Sequence, residues 1–248
     1  MIIAPRLAAA LAVGSLAYGG VQAAELRVVS SNGVTGLLHE LGARFEQASG
    51  NTLLVHYDTT QALTNSINAG EDFDVAILTH TAAEALAASG KCGPGTDIAR
   101  SGIGVAVRAG AARPDVSNAA ALKRALLAAT SVGFSSSGAS GLYVEQLLRR
   151  LDVAQQVNAK AQRYPSDQLA ARLAAGEVEL VIQQISEIHV MQGAVYVGPL
   201  PEQLQHDTTF SASVAAHTHD PTAAQALVAF LAAPAAAPVV KANWMQPP

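Results

Sequence analysis

The chain is poor in aromatic side chains, charge and cysteine, and each shortage closes off a class of function. Aromatics make up 4% of its 248 residues, too few for platforms that stack nucleobases or sugars. Charged residues are 14% and the net charge is −4, so there is no basic stripe for a phosphate backbone and no nucleic-acid partner is expected. Cys92 is the one cysteine, in the turn-rich Lys91-Cys92-Gly93-Pro94-Gly95 with no CxxC partner. An internal disulfide is therefore excluded, and a structural thiol is expected before a nucleophile. There is no Gly-x-Ser-x-Gly elbow, P-loop or dinucleotide fingerprint. What the chain does have is apolar bulk: 50% hydrophobic residues, enough for one large core or two modest ones.

Residues 1–23 read as a cleavable secretory signal. Arg6 supplies the positive start, Leu7 to Leu16 the apolar stretch, and Val21-Gln22-Ala23 the small residues before a cleavage point. Gly14, Ser15, Gly19 and Gly20 interrupt the apolar stretch, which weakens the alternative of a membrane anchor. No later stretch reaches membrane-spanning length, so a soluble, monomeric periplasmic protein is expected.

From Leu26 onward, strand-like and helix-like segments alternate. Leu26 to Val29 is a strand. Val34, Leu37, Leu38, Leu41 and Phe45 mark one face of a helix that Gly50 closes. Leu53 to Tyr57 and Asp74 to Leu78 are further strands, each followed by a helix. Ile98 to Arg108 is a long extended run broken by glycines, fit to cross from one lobe to another. Ala119 to Ala128 reads as a helix, and so does the segment from Ser140 to Leu151 behind the strand Ser131 to Phe134. Later strands are expected near 160–163, 178–182, 194–197 and 210–215, with Pro165 opening one helix and Asp220-Pro221 capping another. Gln183 to Glu187 reads as the end of a strand. Repeated βα units imply α/β architecture with mostly parallel sheets. Leu63 to Gly70 and Leu169 to Gly176 share their spacing and both precede strands, which fits two similarly wound lobes.

Four strand-to-helix turns are rich in small polar residues: Ser30-Ser31-Asn32-Gly33, Thr59-Thr60-Gln61, Ser135 to Gly141, and Ser166-Asp167-Gln168. In open parallel sheets such turns gather at one end, where helix N-termini present unpaired N–H groups. Neutral donors converging there suit a compact anion. The candidate binding residues are Ser31, Asn32, Gly33, Thr59, Thr60, Arg100, Ser137, Ser140, Gln168 and Gln184. Arg100 and Ser101 are placed to pair with a carboxylate; a solvated or structural ion pair is the alternative for Arg100. Glu187, repulsive to an anion unless protonated or paired, reads as a lobe-closing partner.

The turn at Ser30 to Gly33 with its helix, the Leu63-x5-Ala-Gly-x3-Asp-Val run, Ser140-Gly141-Leu142-Tyr143, Ser186-Glu187 ahead of Gly193, and Val197-Gly198-Pro199-Leu200-Pro201 occur in this order. In this the chain resembles the molybdate-binding-protein-like periplasmic solute-binding proteins of ABC importers. The resemblance implies a two-lobed type II periplasmic-binding-protein fold, with lobe 1 at 24–101 and 206–248 and lobe 2 at 102–205. It also implies a hinge, a cleft for a small anionic ligand and an ABC permease partner in the inner membrane. It places ligand contacts near Gly33, Thr60, Ser140, Gln168 and Gln184. Gly33 lacks the hydroxyl that molybdate binders place there, and Gln184 replaces their tyrosine, so a small organic carboxylate is a candidate ligand beside an oxyanion.

The expectation is capture without chemistry, with no catalytic residues, no metal and no cofactor. Two rivals remain: an exported metal-capture protein using His217 and His219, and a hydrolase on the same scaffold.

Overall fold

The first βα unit sets the plan for the rest. β1 (Glu25–Ser31) alternates side chains between two helix layers, with Val28 in one hydrophobic cluster and Val29 in another. After a short 3-10 turn, α1 (Thr35–Ser49) buries Leu37, Leu38, Leu41 and Phe45, and Gly50 ends it with the left-handed φ of 76°. The computed structural model describes residues 23–248. The signal-like segment 1–23 therefore lies outside the described residues, apart from Ala23.

The chain continues through β2 (Thr52–Asp58), α2 (Thr60–Asn68), β3 (Val75–Thr79), α3 (His80–Ala88), β4 (Thr96–Ser101) and β5 (Ile103–Arg108). Next come α4 (Ala119–Ala128), β6 (Val132–Ser135), α5 (Ala139–Arg150), α6 (Ala154–Asn158), β7 (Ala161–Tyr164) and α7 (Leu169–Ala174). The last elements are β8 (Leu180–Gln184), α8 (Ile185–Val190), β9 (Ala194–Pro199), β10 (Thr208–Val214), α9 (Pro221–Ala232) and α10 (Ala237–Ala242). Caps follow the sequence: Thr59, Asn118 and Asp220 each accept a hydrogen bond from a first-turn N–H, and Pro221 opens α9.

The strands form two five-stranded sheets, ordered β2-β1-β3-β10-β4 and β7-β6-β8-β5-β9. The orders correspond strand for strand. In each, three parallel strands are followed by one that runs against its neighbours, β10 or β5. Each sheet with its helices makes a lobe with apolar residues on both faces. Leu26, Leu37, Phe45, Phe210 and Leu227 fill one side of the first, and Leu63, Ile67 and Leu86 the other. Ile103, Phe134, Val144 and Leu147 oppose Leu169, Leu173 and Val181 in the second. The fold is thus α/β, a two-lobed type II periplasmic-binding-protein fold with mostly parallel sheets.

The extended run expected from Ile98 to Arg108 divides at Gly102 into β4 of one sheet and β5 of the other. A Cβ on Gly102 would come within 3.0 Å of Asp207 Oδ1 and 3.1 Å of Gln205, so glycine lets the two connections between lobes pass closely. Two expectations need correction. Ile185 to Glu187 do not extend a strand but begin α8: the Ile185 N–H makes the last bond along β5, to the Gly102 carbonyl (2.9 Å), and the next N–H, of Ser186, turns to Ser101 Oγ (3.2 Å). The segment after Pro165 is a 3-10 turn before α7. The short helix α6 was not expected from the sequence at all. Among the described residues, no single helix is long and apolar enough to cross a membrane.

Candidate functional site

The carboxyl ends of β1, β2, β6 and β7 bring their polar turns to the space between the lobes. A cavity of about 440 Å³ there is lined by Asn32, Tyr57, Asp58, Thr59 and Ala62 from the first lobe. Ser137, Pro165, Ser166, Asp167 and Gln168 line it from the second. Four candidates, Asn32, Thr59, Ser137 and Gln168, thus share one space. A smaller cavity of about 240 Å³ shares Asn32, Ser166 and Asp167 with it and adds Thr35, Ala170, Glu187, Val190 and Met191. Asn32 Nδ2 donates to Ser166 Oγ across the lobes at 3.0 Å, forming the wall that the two cavities have in common.

Other candidates stand one layer behind. Ser31 Oγ accepts weakly from the Gly33 N–H (3.4 Å), and Thr60 Oγ1 from the Thr79 N–H (3.3 Å). Ser140, fully buried at the start of α5, donates to Gln183 Oε1 (2.9 Å). A side chain on Gly33 would strike the Phe210 ring and meet Gln184 Oε1 at 2.5 Å. The hydroxyl missing from this turn is therefore missing for lack of room. Among the described residues, the amide nitrogens of buried Gln183 and Gln184 have no partner, an arrangement that costs about 1–3 kcal/mol per donor unless a ligand or water supplies an acceptor. In the second lobe's main turn, Ser135 Oγ accepts from the Gly138 N–H (2.8 Å), and Gly141 passes so close to the Ser135 carbonyl that no side chain fits.

Arg100 is the exception among the candidates. Its backbone pairs with Gln246, and its Nε donates to the Pro247 carbonyl at 3.3 Å, which holds it against the C-terminal segment and out of both cavities. The alternative of a structural ion pair does not describe it either, since its partner is a carbonyl. Its neighbour Ser101 accepts from the Ser186 N–H (3.2 Å), and Ser186 Oγ donates to the Gly33 carbonyl (2.7 Å), tying α8 to the first lobe.

Two groups stand out, one that the sequence pattern did not mark and one that it read as a lobe-closing partner. Tyr57 lines the larger cavity, and burial pushes its phenol up to about 12, so it remains a neutral donor. Glu187 lines the smaller one. Burial pushes its carboxyl up to about 7, against a hydrogen bond from Ser166 that favours the charged form. Asp58 and Asp167 add negative charge to the larger cavity; Asp58 Oδ1 is engaged by the Thr59 N–H at 2.6 Å. A third cavity, of about 450 Å³, contains Thr79, His80, Asp97, Ala139 and His206. There Asp97, 2.7 Å from His80 Nδ1, holds the imidazole above its usual range.

His217 and His219 lie at the other end of the first lobe. His219 Nε2 is 3.3 Å from Asp72, and the His219 N–H donates to Asp74. Among the described residues, no group of three or more His, Cys, Asp or Glu is arranged to hold a metal ion.

Residues 26–246 match the family model described as bacterial extracellular solute-binding protein. A protein of Pseudomonas sp named aconitate isomerase is 35% identical over 230 residues, 90% of this chain and 87% of the relative. The Azotobacter vinelandii periplasmic molybdate-binding protein superposes with a TM-score of 0.77 at 18% identity, covering 90% of this chain and 99% of that one. A substrate-binding domain of a putative molybdenum ABC transporter from Clostridium difficile gives 0.69 at 14%, covering 90% and 99%. At these identities the structural likeness speaks for the fold alone. The expectation that the chain performs no chemistry is overturned, because a relative matched along nearly its whole length carries an enzyme's name. Composition and motifs gave no sign of this, since an active site need not carry a signature motif. The chain belongs to the family of bacterial extracellular solute-binding proteins.

Proposed function

We propose that this protein is an exported isomerase that moves the double bond of a small unsaturated tricarboxylic acid, of the aconitate class, in the interlobe cleft. The observation that carries this reading is the 35% identity, over 90% of the chain, to the Pseudomonas protein named aconitate isomerase. The chemistry needs only proton transfer. A methylene between an alkene and a carboxylate loses a proton to a base, the electron pair spreads over the allylic system, and a proton returns at the far carbon. Because the carbon skeleton is the same in either direction, the product is the same acid with its carboxylates in the other geometry. No electron is gained or lost, so the step requires no redox cofactor.

Negative charge spreads onto the substrate carboxylates in the transition state, where fixed neutral donors stabilise it. Asn32, Tyr57, Thr59, Ser137 and Gln168 are proposed as those donors, with Ser31, Gly33, Thr60, Ser140 and Gln184 supporting them. Residues 24–101 with 206–248, and 102–205, are proposed as the two bodies that close on the ligand. Export would use residues 1–23 as a cleavable signal and deliver the protein to the periplasm, which agrees with a family described as extracellular. That family also favours a second reading, delivery of a small anion to an ABC permease in the inner membrane.

The test is proton NMR of purified protein with pure trans-aconitate. The isomerase reading predicts growth of the cis vinylic signal, slowed about tenfold by Thr59→Ala or Ser137→Ala if each removes a bond to a charged ligand. Saturating acid that raises the melting temperature with no conversion would retire the isomerase reading and leave the carrier.

A further inference from the structure

We propose that Glu187 is the base that takes the allylic proton and returns it; the assignment rests on the isomerase reading above. Glu187 sits in the first turn of α8 and faces the smaller interlobe cavity, with Asn32 and Thr35 opposite it on the first lobe. Ser166 belongs to both cavities. It accepts from Asn32 Nδ2 at 3.0 Å, so a substrate held by the donors of the larger cavity lies against Ser166, with Glu187 lining the adjoining space.

The other acid in the smaller cavity, Asp167, is exposed and keeps its water. Glu187 is half-buried, and that burial brings its carboxyl up to about 7, where both protonation states are populated and proton abstraction and return are balanced. A polyanionic substrate beside it raises the carboxyl further, which strengthens the ionised form as a base. The step balances: Glu187 Oε gains the methylene proton as the C–H bond breaks, the C=C bond shifts by one carbon, and the same Oε–H delivers its proton to the far carbon. Between the two transfers the excess negative charge lies on the substrate's allylic carboxylates.

The experiment compares wild type with Glu187→Gln, using trans-aconitate in D2O followed by proton NMR. Glutamine keeps the shape and an acceptor for Ser166 but cannot carry the proton. The expected result is loss of both isomerisation and solvent exchange by about 100-fold or more, with the thermal shift caused by the acid retained. If the glutamine variant also loses the thermal shift, Glu187→Asp is decisive. A retained shift with a slowed rate supports the base, and wild-type rate overturns it. A wild type that isomerises beside a Glu187→Gln variant of similar rate overturns this assignment alone. A wild type that binds the acid and does not isomerise it overturns the isomerase reading and the base with it.

Discussion

Gly33 sits at a tight point of the first lobe's turn, since a Cβ there would meet Phe210 and Gln184. Gly33→Ala is expected to destabilise the protein by about 1–3 kcal/mol, the usual cost of overpacking, and to push Gln184 off its position. Thermal unfolding checks this, at about 2–4 °C per kcal/mol for a chain of this size. Asp74 is buried at the opposite end of the lobe and accepts from the Arg27 N–H (2.8 Å), the His219 N–H (3.0 Å) and the Thr218 hydroxyl (2.9 Å). Burial alone would raise its carboxyl, but these bonds and the Arg27 guanidinium hold it below the usual range. Its stabilisation is therefore complete above the unfolded-state pKa and lost as pH falls through the lower folded value. Asp74→Ala should cost about 3 kcal/mol at pH 7 and flatten the acid side of the stability–pH curve measured by urea unfolding. Residues with local meaning, such as the caps and polar turns, were legible in the sequence. Tyr57 was not, and Glu187 was legible only as a lobe-closing partner, because their properties come from burial by segments distant in the chain.

At the level of elements, α8 is where sequence and structure part. Gln183 to Val190 is too short for a strand period to be told from a helical one. The choice is made by tertiary bonds, from Ile185 N–H to the Gly102 carbonyl and from Ser186 N–H to Ser101 Oγ. Those bonds turn Glu187 toward the cleft. Ser186→Ala removes the 2.7 Å bond to the Gly33 carbonyl and loosens α8 from the first lobe. The bond is formed without ligand, so the variant is expected to lose about 1 kcal/mol of stability, read by urea unfolding. The longer helices were legible from their spacing; α6, with a single buried residue, offers no periodicity to read.

Across the whole molecule, the two lobes repeat one winding. The echo between Leu63–Gly70 and Leu169–Gly176 reappears as α2 and α7, ending at left-handed glycines with φ of 103° and 76°. The strand that runs against each sheet was not legible, because direction depends on which lobe supplies the connection. Trp244, the single tryptophan, sits in the C-terminal segment of the first lobe. Its ring lies 4.6 Å from that of His189 and 5.2 Å from that of Tyr196, both in the second. Closure of the lobes should change this half-exposed cluster, so tryptophan emission is expected to shift and saturate with added aconitate. A flat emission trace despite a thermal shift would place the hinge motion elsewhere or exclude it.

The measurement that reaches the central claim most directly is a pair of progress curves, one begun from cis-aconitate and one from trans-aconitate, followed by NMR with the same purified protein. A catalyst of isomerisation brings both to one final ratio with no third compound. Two acids that keep their starting composition while bound, or a product that is neither isomer, would contradict the account.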